Sequence, residues 1–170
     1  MARVSGTHDA SRSGAEAPSG ALGRRYPRGV SHAIDPVNRV IRVSAVVMRD
    51  DSGRVLNVRK RGTESLMLPG GKHEPGEDPR DTAAREFLEE LGVELDPDLL
   101  APLGVFRAVA ANEPGYTVEA TVFEHPFVAA VAGMRPRAEI EHLEWADPAI
   151  PREDMAPLNT DFVFPALLAR

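Results

Sequence analysis

The chain has 170 residues and no cysteine, which suits one domain with a sizeable core and excludes a disulfide framework or a thiolate metal site. Its net charge of −6 is uneven: residues 1–36 carry +2, and the remainder carries −8. An acidic body argues against binding a nucleic acid polymer, no apolar run approaches the length of a membrane span, and an anionic partner would need a cation to mediate its contact.

Residues 1–36 are rich in Ser, Gly, Ala and Arg without apolar periodicity and read as a disordered tail. The same composition fits an organelle transit peptide, but an amphipathic helical pattern is lacking. Residues 37–170 read as the folded domain, and a cytoplasmic setting is expected. The β-branched run from Arg39 to Met48 predicts a strand. Asp50-Asp51-Ser52-Gly53 turns into a second strand, Arg54 to Arg59, so that the two are expected to form a hairpin. It ends in a basic cluster, Arg59, Lys60 and Arg61. Leu66 to Leu68 reads as a short strand that leads into Pro69-Gly70-Gly71.

The next stretch, GKHEPGEDPRDTAAREFLEELGV from Gly71 to Val93, is a Gly-rich loop followed by one acidic helix. Asp78 is a good N-cap, Pro79 suits the first helical position, and Asp81 places negative charge in the first turn. Gly92 is placed to end the helix in a left-handed conformation, which predicts a helix over 79–91. At 100° per residue, Phe87, Leu91, Ala84 and Leu88 share an apolar stripe. Glu86, Glu89 and Glu90 stand at i, i+3 and i+4 on roughly the other side. Like charges at that spacing, about 5–6 Å apart at Cβ, destabilise a helix. Either water solvates them or a hard divalent cation gathers them.

Beyond the helix, Leu103 to Ala111 and Tyr116 to Val131 read as strands joined by a turn at Pro114-Gly115. Pro126 predicts a bulge or an edge position in the second. Glu139 to Asp147 reads as a further strand, with Ile140, His142 and Glu144 on one face and Glu141, Leu143 and Trp145 on the other. Asn159 to Arg170 reads as a closing helix whose regular part is limited by Pro165.

The spacing Gly71, five residues, Glu77, seven residues, then Arg85-Glu86-Phe87-Leu88-Glu89-Glu90-Leu91-Gly92-Val93 resembles the signature box of the Nudix hydrolases at every fixed position. The resemblance implies an α/β chain folded as an α/β/α sandwich with a mixed central sheet. It implies hydrolysis of a nucleoside diphosphate linked to another moiety, with Mg²⁺ or Mn²⁺, by water attack on phosphorus. It implies Glu86, Glu89 and Glu90 as metal ligands, the Gly71 carbonyl as a further ligand, Arg85 as the group that orients a catalytic glutamate, and Glu77 as a brace of the loop. Glu86 is the favoured general base. Arg59, Arg61 and Gly70 are candidates to bind the substrate, the two arginines also being readable as a solvated strand end. Glu139, Glu141 and Glu113 are candidates for an extra ligand or the base, each also readable as plain surface.

His73 reads as a variable loop position, and Trp145 and Tyr116 either stack on a base or pack in the core. A nucleoside triphosphate or a nucleotide sugar such as ADP-ribose is the expected small-nucleotide substrate. The Ser-Gln-Pro-Trp run of the family's NADH pyrophosphatases is absent. Leu66-Met67-Leu68 also lacks the aromatic that many nucleotide-sanitising members carry before Pro-Gly-Gly. A non-catalytic nucleotide-binding regulatory module is the alternative, although such members usually lose box carboxylates that are all present here. Isopentenyl diphosphate isomerase shares the fold but needs a cysteine nucleophile that this chain lacks. A homodimer is expected.

Overall fold

The computed structural model describes residues 33–170, so the expected tail lies almost wholly outside the described residues. The strands are β1 (Ile34–Asp35), β2 (Val40–Met48), β3 (Val55–Lys60), β4 (Gly70–Lys72), β5 (Ala101–Val109), β6 (Thr117–His125) and β7 (Ile140–Ala146). The helices are α1 (Pro79–Leu91) and α2 (Phe164–Leu168). The main sheet runs β1-β2-β6-β5, and β4 pairs with β2 on the edge that it shares with β1. β2 and β6 are parallel, from Val40 opposite Thr117 to Met48 opposite His125, and the other pairs are antiparallel. The sheet is therefore mixed.

Strand alternation on β2 divides the interior in two. Val46 and Met48 join Phe123 of β6, Leu56 and Val58 of β3, and Ala83, Phe87 and Leu91 of α1. Ala45 and Val47 point the other way, into a cluster with Ala120 and Val122 of β6 and with Val163, Phe164 and Leu167 at the C-terminal end. One helix thus covers each face of the sheet, as expected for an α/β/α sandwich. Full burial of Phe87 alone is worth about 1.5–3 kcal/mol.

Several expectations from the sequence are corrected. β2 and β3 do not form a hairpin. Both edges of β2 are already occupied, by β6 on one side and by β1 and β4 on the other, so the turn at Gly53 (φ 79°) carries the chain into a second sheet. There β3 pairs with β7, and a single bridge, Arg49 to Val55, joins the two expected partners. Leu66 and Met67 make only isolated bridges, to Met155 and Val58, and the glycines after them form β4. β6 ends at His125 rather than running to Val131, because Pro126 offers no N–H to the ladder; a 3₁₀ turn, Ala129–Gly133, follows. A register shift between Arg59 and Lys60 breaks the alternation on β7, so Ile140 packs in the same cluster as Leu143 and Trp145. The closing helix agrees with expectation: Pro165 sits in the first turn of its regular part, α2, and the preceding turn, Asn159–Val163, is π-helical.

Candidate active site

α1 forms because its end signals agree with its packing. Asp78 accepts a hydrogen bond from the Arg80 N–H at 2.9 Å, Pro79 opens the helix, and Gly92 closes it at φ 68° with its N–H on the Leu88 carbonyl at 2.8 Å. The buried face is not the expected stripe. Ala83, Phe87, Leu91 and also Glu90 are buried, whereas Leu88 is 46% exposed. The face that meets the sheet is rotated toward the glutamates, and it carries one carboxylate into the interior.

Glu90 is 1% exposed. Its Oε2 accepts from the Gly70 N–H at 3.0 Å, and its Oε1 lies 3.1 Å from the Lys60 Nζ. Burial pushes its carboxyl up to about 7, against the pull of the Lys60 charge, the Lys60 hydrogen bond and the Gly70 N–H. Lys60 also donates to Glu139 Oε1 at 2.7 Å. Burial works against its charge, but the facing Glu90 and Glu139 carboxylates outweigh that and hold its ammonium above the ordinary value.

Arg85 joins the loop to the helix. Its Nε and Nη2 donate to the two oxygens of Glu77 at 2.8 and 2.9 Å, a forked, charge-assisted pair. Nη2 also donates to the Lys72 carbonyl at 3.1 Å, Nη1 donates to Glu86 Oε1 at 2.9 Å, and Glu89 lies 3.4 Å away. Glu77 accepts in addition from Thr82 Oγ1 at 2.7 Å and from the Glu74 N–H at 3.0 Å. The Arg85 hydrogen bonds, joined by those of Glu74 and Thr82, outweigh burial and hold the Glu77 carboxyl down at about 2. The hydrogen bonds to Glu77 and then Glu86 outweigh burial and raise the Arg85 guanidinium above its ordinary value.

The two loop glycines have different reasons. Gly70 has φ 147°, and a Cβ there would collide with the Ser44 carbonyl and Ala45 Cα of β2. At Gly71 a Cβ would overlap the carboxylate of Glu86. Glu86 therefore rests on bare backbone. Beside it opens a cavity of about 400 Å³, lined by Gly70, Gly71, Glu86, Lys60, Glu139, Lys72 and Glu113 at its polar end and by aliphatic side chains such as Val43, Met67, Val118 and Leu158 elsewhere.

Glu86, Gly70, Gly71, Glu139 and Glu113 of the sequence candidates thus border one cavity, with buried Glu90 behind Gly70. Glu89 is half exposed and faces solvent beside Arg85. Arg59 and Arg61 lie outside the cavity lining; Arg59 instead pairs with Glu141 at 3.0 Å. Lys60, the middle residue of that basic cluster, is the one that reaches the cavity. The alternation of β3 was the available signal, since Val58 is buried on the α1 side and Lys60 lies two residues on. His73 accepts or donates a 2.9 Å hydrogen bond with Ser44, a contact with no sequence signal. Trp145 packs against Phe127, with ring centroids 6.1 Å apart.

Among the described residues no three acidic or histidine side chains converge as a ready-made ligand set, because Glu86 and Glu89 face Arg85 while Glu90 faces Lys60 and the Gly70 amide. The donors themselves suit a hard divalent cation: carboxylate oxygens one turn apart, set against a strand stripped of Cβ at Gly71. No described helix is long and apolar enough to cross a membrane.

Over 106 residues the chain is 30% identical to the putative 8-oxo-dGTP diphosphatase of Bacillus subtilis (strain 168), covering 61% of this chain and 64% of that one. Over 115 residues it is 36% identical to the isopentenyl-diphosphate Delta-isomerase of Streptomyces coelicolor, covering 63% of this chain and 56% of the isomerase. The chain therefore spans less than two thirds of either relative. The fold also matches the crystal structure of the MutT protein from Methanosarcina mazei Go1, with a TM-score of 0.64 at 22% identity, over 78% of this chain and 95% of that one. The NUDIX domain model matches residues 38–164, and with that span containing the whole site the chain belongs to the Nudix hydrolase family.

Proposed function

We propose that the chain is a pyrophosphohydrolase that uses Mg²⁺ or Mn²⁺ to cleave a small nucleotide, a nucleoside diphosphate linked to another moiety, and that the domain comprises residues 37–170. The observation that carries this reading is the convergence of Glu86, Gly70 and Gly71 on one cavity with Glu90 buried behind them and Arg85 braced by Glu77. Glu86, Glu89, Glu90 and the Gly71 carbonyl would hold the cation, which supplies polarisation of the phosphoryl oxygens and a lowered pKa for water.

The protein's own groups do the rest. Arg85 holds the Glu86 carboxylate against Gly71, so its orientation is fixed before a substrate arrives. Glu86 is the group at the cavity favoured to take the proton of an attacking water, with Glu139 and Glu113 the other carboxylates that line it. Lys60 and Lys72 supply positive charge to the same wall, which an acidic chain needs to admit a polyanion. The aliphatic end of the cavity takes the remaining moiety, by apolar contact rather than by aromatic stacking.

The similarity to an isomerase raises a second chemistry. The isomerase reaction requires a cysteine, and the chain has none, so hydrolysis remains the reading. A regulatory module without catalysis is disfavoured by the complete set of box carboxylates. The 8-oxo-dGTP diphosphatase relative makes oxidised nucleoside triphosphates the first substrates to test, followed by ADP-ribose. The test is a nucleotide panel with Mg²⁺, read by release of phosphate or pyrophosphate products. Glu90→Gln should lower turnover at least ~100-fold. Equal rates for mutant and wild type reject the assignment.

A further inference from the structure

The chain uses basic residues in an uneven way. It contains twenty lysines and arginines, of which only Lys60 and Lys72 are lysine, and both line the cavity. An arginine locks into carboxylates as a rigid fork, as Arg85 does on Glu77. A lysine is a point charge on a flexible stem, and it can leave a partner without dismantling a planar pair. Lys60 sits where that difference matters. Its Nζ lies 3.1 Å from Glu90 Oε1 and 2.7 Å from Glu139 Oε1, and its side chain is 24% exposed whereas that of Glu90 is 2% exposed.

A buried carboxylate with no cation nearby is strongly destabilising, and the other polar contact to Glu90 is one backbone N–H. A positive charge at this position therefore stabilises the ionised form of Glu90 in the metal-free protein. A divalent cation brought to Glu90 would do so itself, and it would repel an ammonium held about 3 Å from the same carboxylate. The two cations compete for one anion.

We propose that Lys60 is a resident counter-cation: it neutralises Glu90 while the site is metal-free and gives up that carboxylate when a divalent metal binds, keeping only Glu139 and turning toward the cavity. The proposal rests on the metal-dependent reading above, but it is a claim about which charge occupies Glu90 and when. Lys60 is accordingly a positioning residue, with the apo protein's stability as one function and the metal affinity as the quantity it sets.

Two lysines allow a direct test on the unaltered full chain. The protein is acetylated briefly with an amine-reactive ester in EDTA and in saturating Mg²⁺, and mass spectrometry reads Lys60 against Lys72. Release predicts that Mg²⁺ raises the labelling rate of Lys60 relative to Lys72 at least about threefold. An unchanged or lowered ratio overturns the exchange. Calorimetry with Mg²⁺ supplies the second readout. Lys60→Met should bind the ion at least about tenfold more tightly than wild type, which is about 1.4 kcal/mol. The same variant should melt at a lower temperature in EDTA and recover more on adding Mg²⁺, whereas Lys60→Arg, a fork that does not readily leave Glu90, should bind the ion more weakly than wild type. Wild type that binds Mg²⁺ while Lys60→Met binds it no more tightly refutes the counter-cation alone. Wild type that binds no Mg²⁺ refutes this proposal together with the metal-dependent function.

Discussion

Alanine at each of the two adjacent loop glycines should give opposite signatures. At Gly70 the new Cβ meets backbone, the Ser44 carbonyl and Ala45 Cα of the central strand, from a φ of 147° that side chains rarely adopt. Strain of about 1–3 kcal/mol and overpacking of about 1–3 kcal/mol together predict a loss of about 2–6 kcal/mol, a large share of a domain's stability. At Gly71 the Cβ meets only the end of the Glu86 side chain, which can swing away. That substitution should cost about 1 kcal/mol or less in stability, yet it moves the carboxylate that Arg85 aims. Turnover should fall about 100-fold, the scale of losing support for a metal ligand. Urea unfolding measures the first quantity and Mg²⁺-dependent hydrolysis of the best nucleotide measures the second. Similar unfolding free energies for the two variants, or undiminished turnover in Gly71→Ala, would refute this account of the loop.

Arg85→Lys keeps the charge but cannot span Glu77, Glu86 and the Lys72 carbonyl, so it should lose at least about tenfold in turnover, with Lys failing to rescue the rate of Arg85→Met. Glu77 has its folded pKa depressed from 4.5 to about 2, so its contribution is present above pH 4.5 and is lost as pH falls toward 2. Unfolding free energy should therefore drop more steeply for wild type than for Glu77→Gln across that window; parallel curves would show that the Arg85–Glu77 pair contributes nothing. Gly92→Ala puts a Cβ on a φ of 68° and against the Arg137 guanidinium, and it should cost about 1 kcal/mol in thermal or urea unfolding.

The parts of this molecule that were legible in the sequence are those decided by near neighbours. The helix bounds follow from Asp78, Pro79 and Gly92, each acting within one turn, and the structure has the helix at the expected Pro79–Leu91. The strand-like runs around that helix were legible from their β-branched composition, and the α/β/α arrangement followed from the family resemblance. What was not legible depends on an element far along the chain. The sequence names Glu90 as one of three candidate ligands but not as the buried one, because β4 supplies the N–H and β3 supplies the Lys60 that meet its buried side. The expected hairpin failed because the second edge of β2 is claimed by Gly70–Lys72, twenty-odd residues away, leaving β3 to pair with β7. The basic cluster could be assigned to the site only as a group; a strand direction was needed to send Lys60 inward and leave Arg59 to Glu141.

On the proposed function, carboxylates of α1 and the Gly71 backbone gather a divalent cation at the cavity wall. Anomalous diffraction from crystals soaked in Mn²⁺ tests it most directly, because that signal marks the ion itself. The expected result is a peak within coordination distance of Glu86 and Glu90 beside Gly71, with the Lys60 ammonium withdrawn from Glu90. A fully occupied Mn²⁺ peak elsewhere, with Lys60 still seated on Glu90, would contradict it.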